Sequence, residues 1–123
     1  MKIIIAGGRD FTDTQLALNE FLLFSNQITQ ERGLVEPFLE VVSGGARGAD
    51  LVGERVANMC HLPVKRFIPN WDALGKGAGY VRNSEMAEYA DALLLFWDGV
   101  SKGSGHMLKI AQNKGLIIKV VRY

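Results

Sequence analysis

The chain is short of everything that staples a fold covalently or through a metal. One of its 123 residues is cysteine and two are histidine. No disulfide can form within it, and no His, Cys and carboxylate cluster has metal-ligand spacing. Cys60, with Met59 and Leu62 as apolar neighbours, reads as a buried thiol. Long apolar runs are also missing, none approaching the ~20 residues of a membrane span. The start, Met1 followed by Lys2-Ile3-Ile4-Ile5, lacks the basic stretch and apolar core of a secretory signal. The expected location is the cytoplasm. Charge of one sign is equally scarce: 14 Lys and Arg face 13 Asp and Glu, a formal net charge of +1. Generic nucleic-acid binding leaves a clearly basic domain. A small anionic ligand needs only two or three well-placed cations, which this balance permits.

What the chain does have is glycine, 14 in all, gathered where apolar runs stop. The length suits one domain, which buries roughly two-thirds of the surface its unfolded chain exposes. Strand and helix patterns alternate throughout. Residues 2–6 form a continuous apolar run, as in a central parallel strand covered on both faces. Thr12 and Gln15 read as a capping box opening a helix with Leu18, Phe21, Leu22 and Ile28 inward, stopped at Gly33. Strands are expected at 39–43, 64–68, 92–97 and 116–122. Helices are expected at 49–60, with Val52, Val56, Ala57 and Met59 inward, at 79–90, and through Met107 to Gly115. Residues 70–78 read as loop. The alternation makes the fold class α/β, and near-obligatory right-handed crossovers limit its topology; the expected form is a Rossmann-like doubly wound parallel sheet of order 3-2-1-4-5, with helices on both faces. Ligands bind such sheets beyond the strand C-termini, where the order reverses.

Four glycine-bearing segments collect on that edge. In Ser43-Gly44-Gly45-Ala46-Arg47-Gly48-Ala49-Asp50 the glycines permit close backbone approach. The helix that follows offers free N–H groups and a positive dipole end to an anion, and Arg47 adds a fork for phosphate. Asp50 either caps the helix or accepts from a ligand hydroxyl. The segment is neither the dinucleotide nor the Walker fingerprint. Gly7-Gly8-Arg9-Asp10 leaves the central strand at the crevice; Arg9 can pair with phosphate, and Asp10 can bond ribose or cap a helix.

The run from Gly75 to Met86 places Arg82 and Asn83 early in a helix, near its anion-attracting end. There Glu85 is either a base or a favourable helix-end charge. Trp71, just before, stacks on a base or sits at a rim. Finally, Lys102, Gly103 and Ser104 precede a helix as anion ligands. Asp98 can hold Mg²⁺ or a ribose hydroxyl, and His106 is an acid or base or simply structural.

Together these segments resemble the SLOG superfamily, in particular its small stand-alone YspA-like members. The resemblance runs from Gly7-Gly8-Arg9-Asp10-Phe11 through Trp97-Asp98-Gly99. Residues 43–50 also look like the signature of DprA-type DNA-processing proteins of that superfamily. The resemblance implies a Rossmann-like sheet that binds nucleotides or nucleotide-derived ligands, and a homo-oligomer in which an apolar residue such as Phe24 meets a partner. LOG-type phosphoribohydrolases are further relatives, whose loop pairs an Arg with a Glu. Arg82 matches the Arg, but Gly105, His106 and Met107 stand where the carboxylates would be. Cleavage through an oxocarbenium-like state needs a carboxylate, so it would fall to Glu85, Asp10 or Asp98. The expectation is a nucleotide-binding sensor, sequestering or regulatory module. A nucleotide hydrolase is the alternative, and single-strand DNA binding is disfavoured by the near-neutral charge.

Overall fold

A computed structural model describes residues 1–33 and 39–123. Its centre is a five-stranded, wholly parallel sheet of order β3-β2-β1-β4-β5. The strands are β1 (Lys2–Gly7), β2 (Glu40–Ser43), β3 (Val64–Arg66), β4 (Ala92–Trp97) and β5 (Ile117–Arg122). The helices are α1 (Thr14–Arg32), α2 (Ala49–Met59), the short α3 (Trp71–Leu74), α4 (Ala78–Tyr89) and α5 (Lys102–Lys114). The Rossmann-like order reverses between β1 and β4, where Ile4 pairs with Leu93 and Ala6 with Leu95.

Alternation along each strand divides the core into two layers. Ile3, Ile5, Val41, Leu94 and Phe96 face α1 and α2. Ile4, Val42, Leu93 and Leu95 face Met86 and Ala87 of α4 and Met107 and Ala111 of α5. Strands buried on both sides need apolar residues at every position, which is why β1 and β4 read as unbroken runs.

Several local expectations are corrected. Asp13, not Thr12, caps α1, its carboxylate accepting from the Leu16 N–H at 3.0 Å. A carboxylate is also the better match to the helix dipole there. The buried face of α1 is Ala17, Phe21, Phe24, Ser25 and Ile28. Leu22, one residue step of 100° around from Phe21, turns outward and is 44% exposed. Phe24 is in the core, 3% exposed, and is no candidate for an interface. Met59, in the last turn of α2, is exposed, and Cys60 is only partly buried. Residues 70–78 are not loop: Asn70 caps α3 by accepting from the Ala73 N–H, and a 3₁₀ turn, Gly75–Gly77, runs into α4. Strand β3 stops at Arg66, short of Ile68. Among the described residues no helix is long and apolar enough to cross a membrane.

Candidate functional site

The C-terminal edge of the sheet carries an open cleft of about 650 Å³ at the β1/β4 reversal. The exit of β1 supplies Gly7, Gly8, Arg9 and Asp10, and the exit of β2 supplies Ala46, Arg47 and Asp50. Helix α4 contributes Arg82 and Asn83 across the cleft, while Asp98, Ser101, Gly103 and Ser104 close the β4 side. Ala6, Met86 and Met107 give it an apolar floor. A second hollow of about 170 Å³ adjoins it, sharing Arg9, Ala46 and Arg82 and adding Gly44, Gly45, Ile68, Pro69 and Trp71.

The two loops at the rear are tied by backbone. The Ala49 N–H donates to the Gly8 carbonyl at 3.1 Å. Gly48 has φ +82, and a Cβ there would run into the Gly8 carbonyl oxygen and the Arg9 main chain. Only glycine satisfies both the left-handed backbone and the contact. Helix α2 therefore begins without a side-chain cap, its Ala49 N–H held by the Gly8 carbonyl, while Arg9, Arg47 and Arg82 line the same cleft.

Arg82 is anchored before any ligand arrives. Its Nη1 donates to the Gly44 carbonyl at 2.6 Å and its Nε to Asn83 Oδ1 at 3.1 Å. Burial pulls its pKa below the usual guanidinium value, and the nearby Asp50 opposes that. Gly44 has to be glycine for this approach: a Cβ would lie 2.6 Å from Arg82 Nη1 and 2.7 Å from Asp50 Oδ2.

Asp50 is 6% exposed. Burial raises its pKa to about 6, against the Ala46 N–H donated to Oδ2 at 3.1 Å and the charge of Arg82. Buried, perturbed carboxylates in clefts are candidates for chemistry or specific binding. Asp10 accepts from the Tyr123 hydroxyl at 2.6 Å. That bond and burial, with burial the larger effect, raise the phenol pKa.

Not every expected residue reaches the cleft. Ser43 is fully buried, donating to Glu54 Oε2 at 2.6 Å and accepting from the Gly45 N–H at 3.1 Å. Glu85 and Lys102 are exposed and line neither hollow. Lys102, Gly103 and Ser104 belong to α5 rather than preceding it. Asp98 is largely spent locally: Oδ1 accepts from the Val100 and Ser101 N–H groups at 2.8 Å each, and both oxygens meet the Ser101 hydroxyl at 3.0 Å. Those bonds hold its pKa below the ordinary aspartate value. Such a carboxylate is poorly placed for Mg²⁺, and among the described residues no three His, Cys, Asp or Glu side chains form a metal-holding group.

Sequence reasoning missed the support behind the second loop. Glu54 takes Ser43, the Arg66 Nε at 3.0 Å and a second, close Arg66 contact. Burial alone would raise its pKa, but the Arg66 and Ser43 hydrogen bonds outweigh burial and lower it. The available signal was its spacing, one turn after Asp50.

A wholly parallel sheet of this order makes the molecule a Rossmann-like α/β protein, with an arginine-rimmed cleft at the reversal of its strand order. More narrowly, the chain belongs to the YspA, cpYpsA-related SLOG family, whose model matches residues 1–73, more than half of its length. Membership suggests a nucleotide-related ligand, bound or processed. Over 84 residues the chain is 39% identical to the Gene 61 protein of Mycobacterium phage D29, covering 63% of this chain and 67% of that protein. No solved structure matches.

Proposed function

We propose that the cleft binds a nucleotide or nucleotide-derived ligand, a nucleoside phosphate or an ADP-ribose-like compound, as a sensor, sequestering or regulatory module. The observation that carries this is the convergence of Arg9, Arg47 and Arg82 on one cleft, beside the start of α2, which has no side-chain cap. N–H groups at a helix start and planar guanidinium forks are the two protein groups best matched to phosphate oxygens. Asp50 and Asp10 are the acceptors for ribose hydroxyls. Trp71, half exposed in the adjoining hollow, offers a face for a base, and the shared Arg9 and Arg82 stand where a phosphate would link the two compartments. Gly103 and Ser104 lie on the opposite wall and complete the enclosure.

Isothermal calorimetry against nucleoside mono-, di- and triphosphates and ADP-ribose tests this. Micromolar binding, lost in Arg82→Ala, is expected; no heat from any of them at millimolar concentration removes the proposal.

One observation favours a second reading, hydrolysis of an N-glycosidic or phosphoester bond in the same cleft. Asp50 is a buried cleft carboxylate whose pKa of about 6 suits general acid–base work near neutrality. Release of free base or phosphate, abolished by Asp50→Asn while binding persists, would establish it over simple binding.

A further inference from the structure

His106 lines neither hollow, yet a continuous polar chain links it to Arg82. The donors in that chain determine every proton. Arg82 Nε can only donate, so the atom of Asn83 that meets it at 3.1 Å is the amide oxygen. The Asn83 amide nitrogen then points the other way, to the Gly103 carbonyl at 3.5 Å and His106 Nδ1 at 3.3 Å. An amide nitrogen also only donates, so Nδ1 has to accept, and the ring proton sits on Nε2. Asn83 is 6% exposed, so water is a poor substitute for either partner.

We propose that His106 is a positioning residue: its neutral ring, accepting from Asn83 at Nδ1, turns the Asn83 carbonyl toward Arg82 and so fixes the guanidinium in the cleft. A protonated ring presents N–H at Nδ1, two donors then face each other, and the Asn83 hold on Arg82 Nε is loosened while the Gly44 carbonyl still holds Nη1.

The surroundings favour the neutral ring. Helix α4 presents the Tyr80 ring, centroid 4.2 Å away, and Arg82 behind Asn83. Its own helix contributes the positive charge of Lys109, with Lys102 a turn earlier. Strand β4 brings the uncharged Trp97 against neighbouring Gly105. The other strands meet α5 through its Met107 and Ala111 face. Burial first, then Lys109, lowers the imidazole pKa from its usual value.

The inference rests on the proposed anion site only in its affinity arm; the arm read by NMR needs no ligand. In the free protein, long-range ¹H–¹⁵N spectra should give His106 as the Nε2–H tautomer, and acidification through its titration should shift the Arg82 Nε–H resonance. His106→Phe keeps a ring against Tyr80 but removes the acceptor, whereas His106→Gln keeps an acceptor. The Arg82 resonance should move in His106→Phe and stay near its original position in His106→Gln.

Sulfate, which does not titrate between pH 5 and 8, is the affinity probe. Its affinity should fall roughly 3- to 10-fold in His106→Phe, the scale of one lost hydrogen bond, and recover to within about 2-fold in His106→Gln. As pH falls, protonation of Asp50 strengthens anion binding and protonation of His106 weakens it, so the difference between wild type and His106→Gln isolates the histidine. An Nδ1–H tautomer, or an Arg82 resonance unmoved in His106→Phe, would overturn the proposal even if sulfate binds. Failure of every anion to bind, with the resonances behaving as stated, would instead count against the cleft's proposed ligand.

Discussion

Replacing Asp50 by asparagine should stabilise the fold at neutral pH while weakening ligands held through a ribose hydroxyl, though not a bare anion such as sulfate. The carboxyl is nearly inaccessible, and its pKa rises from 3.8 to about 6 on folding. At about 1.4 kcal/mol per pH unit, ionising it inside the folded protein costs roughly 3 kcal/mol. The sign follows from proton binding. Below 3.8 the group is protonated in both states and the penalty is absent. Between about 4 and 6 the folded chain holds a proton that the unfolded chain has lost, so stability declines as pH rises. Above about 6 both forms are ionised and the loss is complete.

Asparagine can still accept from the Ala46 N–H, less strongly than a carboxylate, and the attraction to Arg82 and Arg9 is already contained in the pKa of about 6. The net gain at pH 7.5 is therefore about 1–3 kcal/mol, shrinking toward zero near pH 4. Urea unfolding of both proteins at pH 4, 5, 6 and 7.5 measures this directly, because other carboxylates cancel in the difference. An Asp50→Asn protein no more stable than wild type at pH 7.5, or a gap that does not narrow on acidification, would refute the reasoning. If the same variant bound ADP-ribose as well as wild type, Asp50 would have no part in recognition.

Three further substitutions separate architecture from binding. Gly48→Ala forces a side chain onto a backbone at φ +82 and into the Gly8–Arg9 main chain, and urea melts should show a loss of about 2–4 kcal/mol. Gly44→Ala meets only the ends of the Arg82 and Asp50 side chains. Stability should change by less than about 1 kcal/mol, while calorimetric affinity for ADP-ribose falls by roughly 10-fold or more as the two groups are pushed apart. Trp71→Ala, at a half-exposed position, should leave the melt within about 0.5 kcal/mol. It should weaken nucleotides by about 1–3 kcal/mol, the scale of base stacking, yet leave sulfate affinity unchanged.

The alternation of strands and helices is legible in the sequence from short apolar runs with amphipathic stretches between them; the fixed crossover hand then narrows the order to a few, among them the one found. The same logic sends the glycine turns to one edge. What stays hidden depends on side-chain direction or on partners distant in sequence. Leu18, Phe21 and Ile28 do face the core, but Leu22 turns outward and Phe24 takes its place. Ser43 looks like a loop ligand because nothing nearby announces Glu54 and Arg66, 11 and 23 residues on, converging behind it. Asp98 looks free until its own loop folds back to claim both oxygens. Asn70 reads as loop for its polarity, when that polarity caps a short helix.

The bond from the Ala49 amide to the Gly8 carbonyl has a practical consequence. It welds the outlets of the sheet's two inner neighbours, β1 and β2, into one unit. A compound bridging that weld is clamped to two covered inner strands of the sheet rather than to a peripheral flap. Occupancy should therefore register in whole-molecule melting, and a simple thermal-shift screen would report it for unlabelled compounds of any structure.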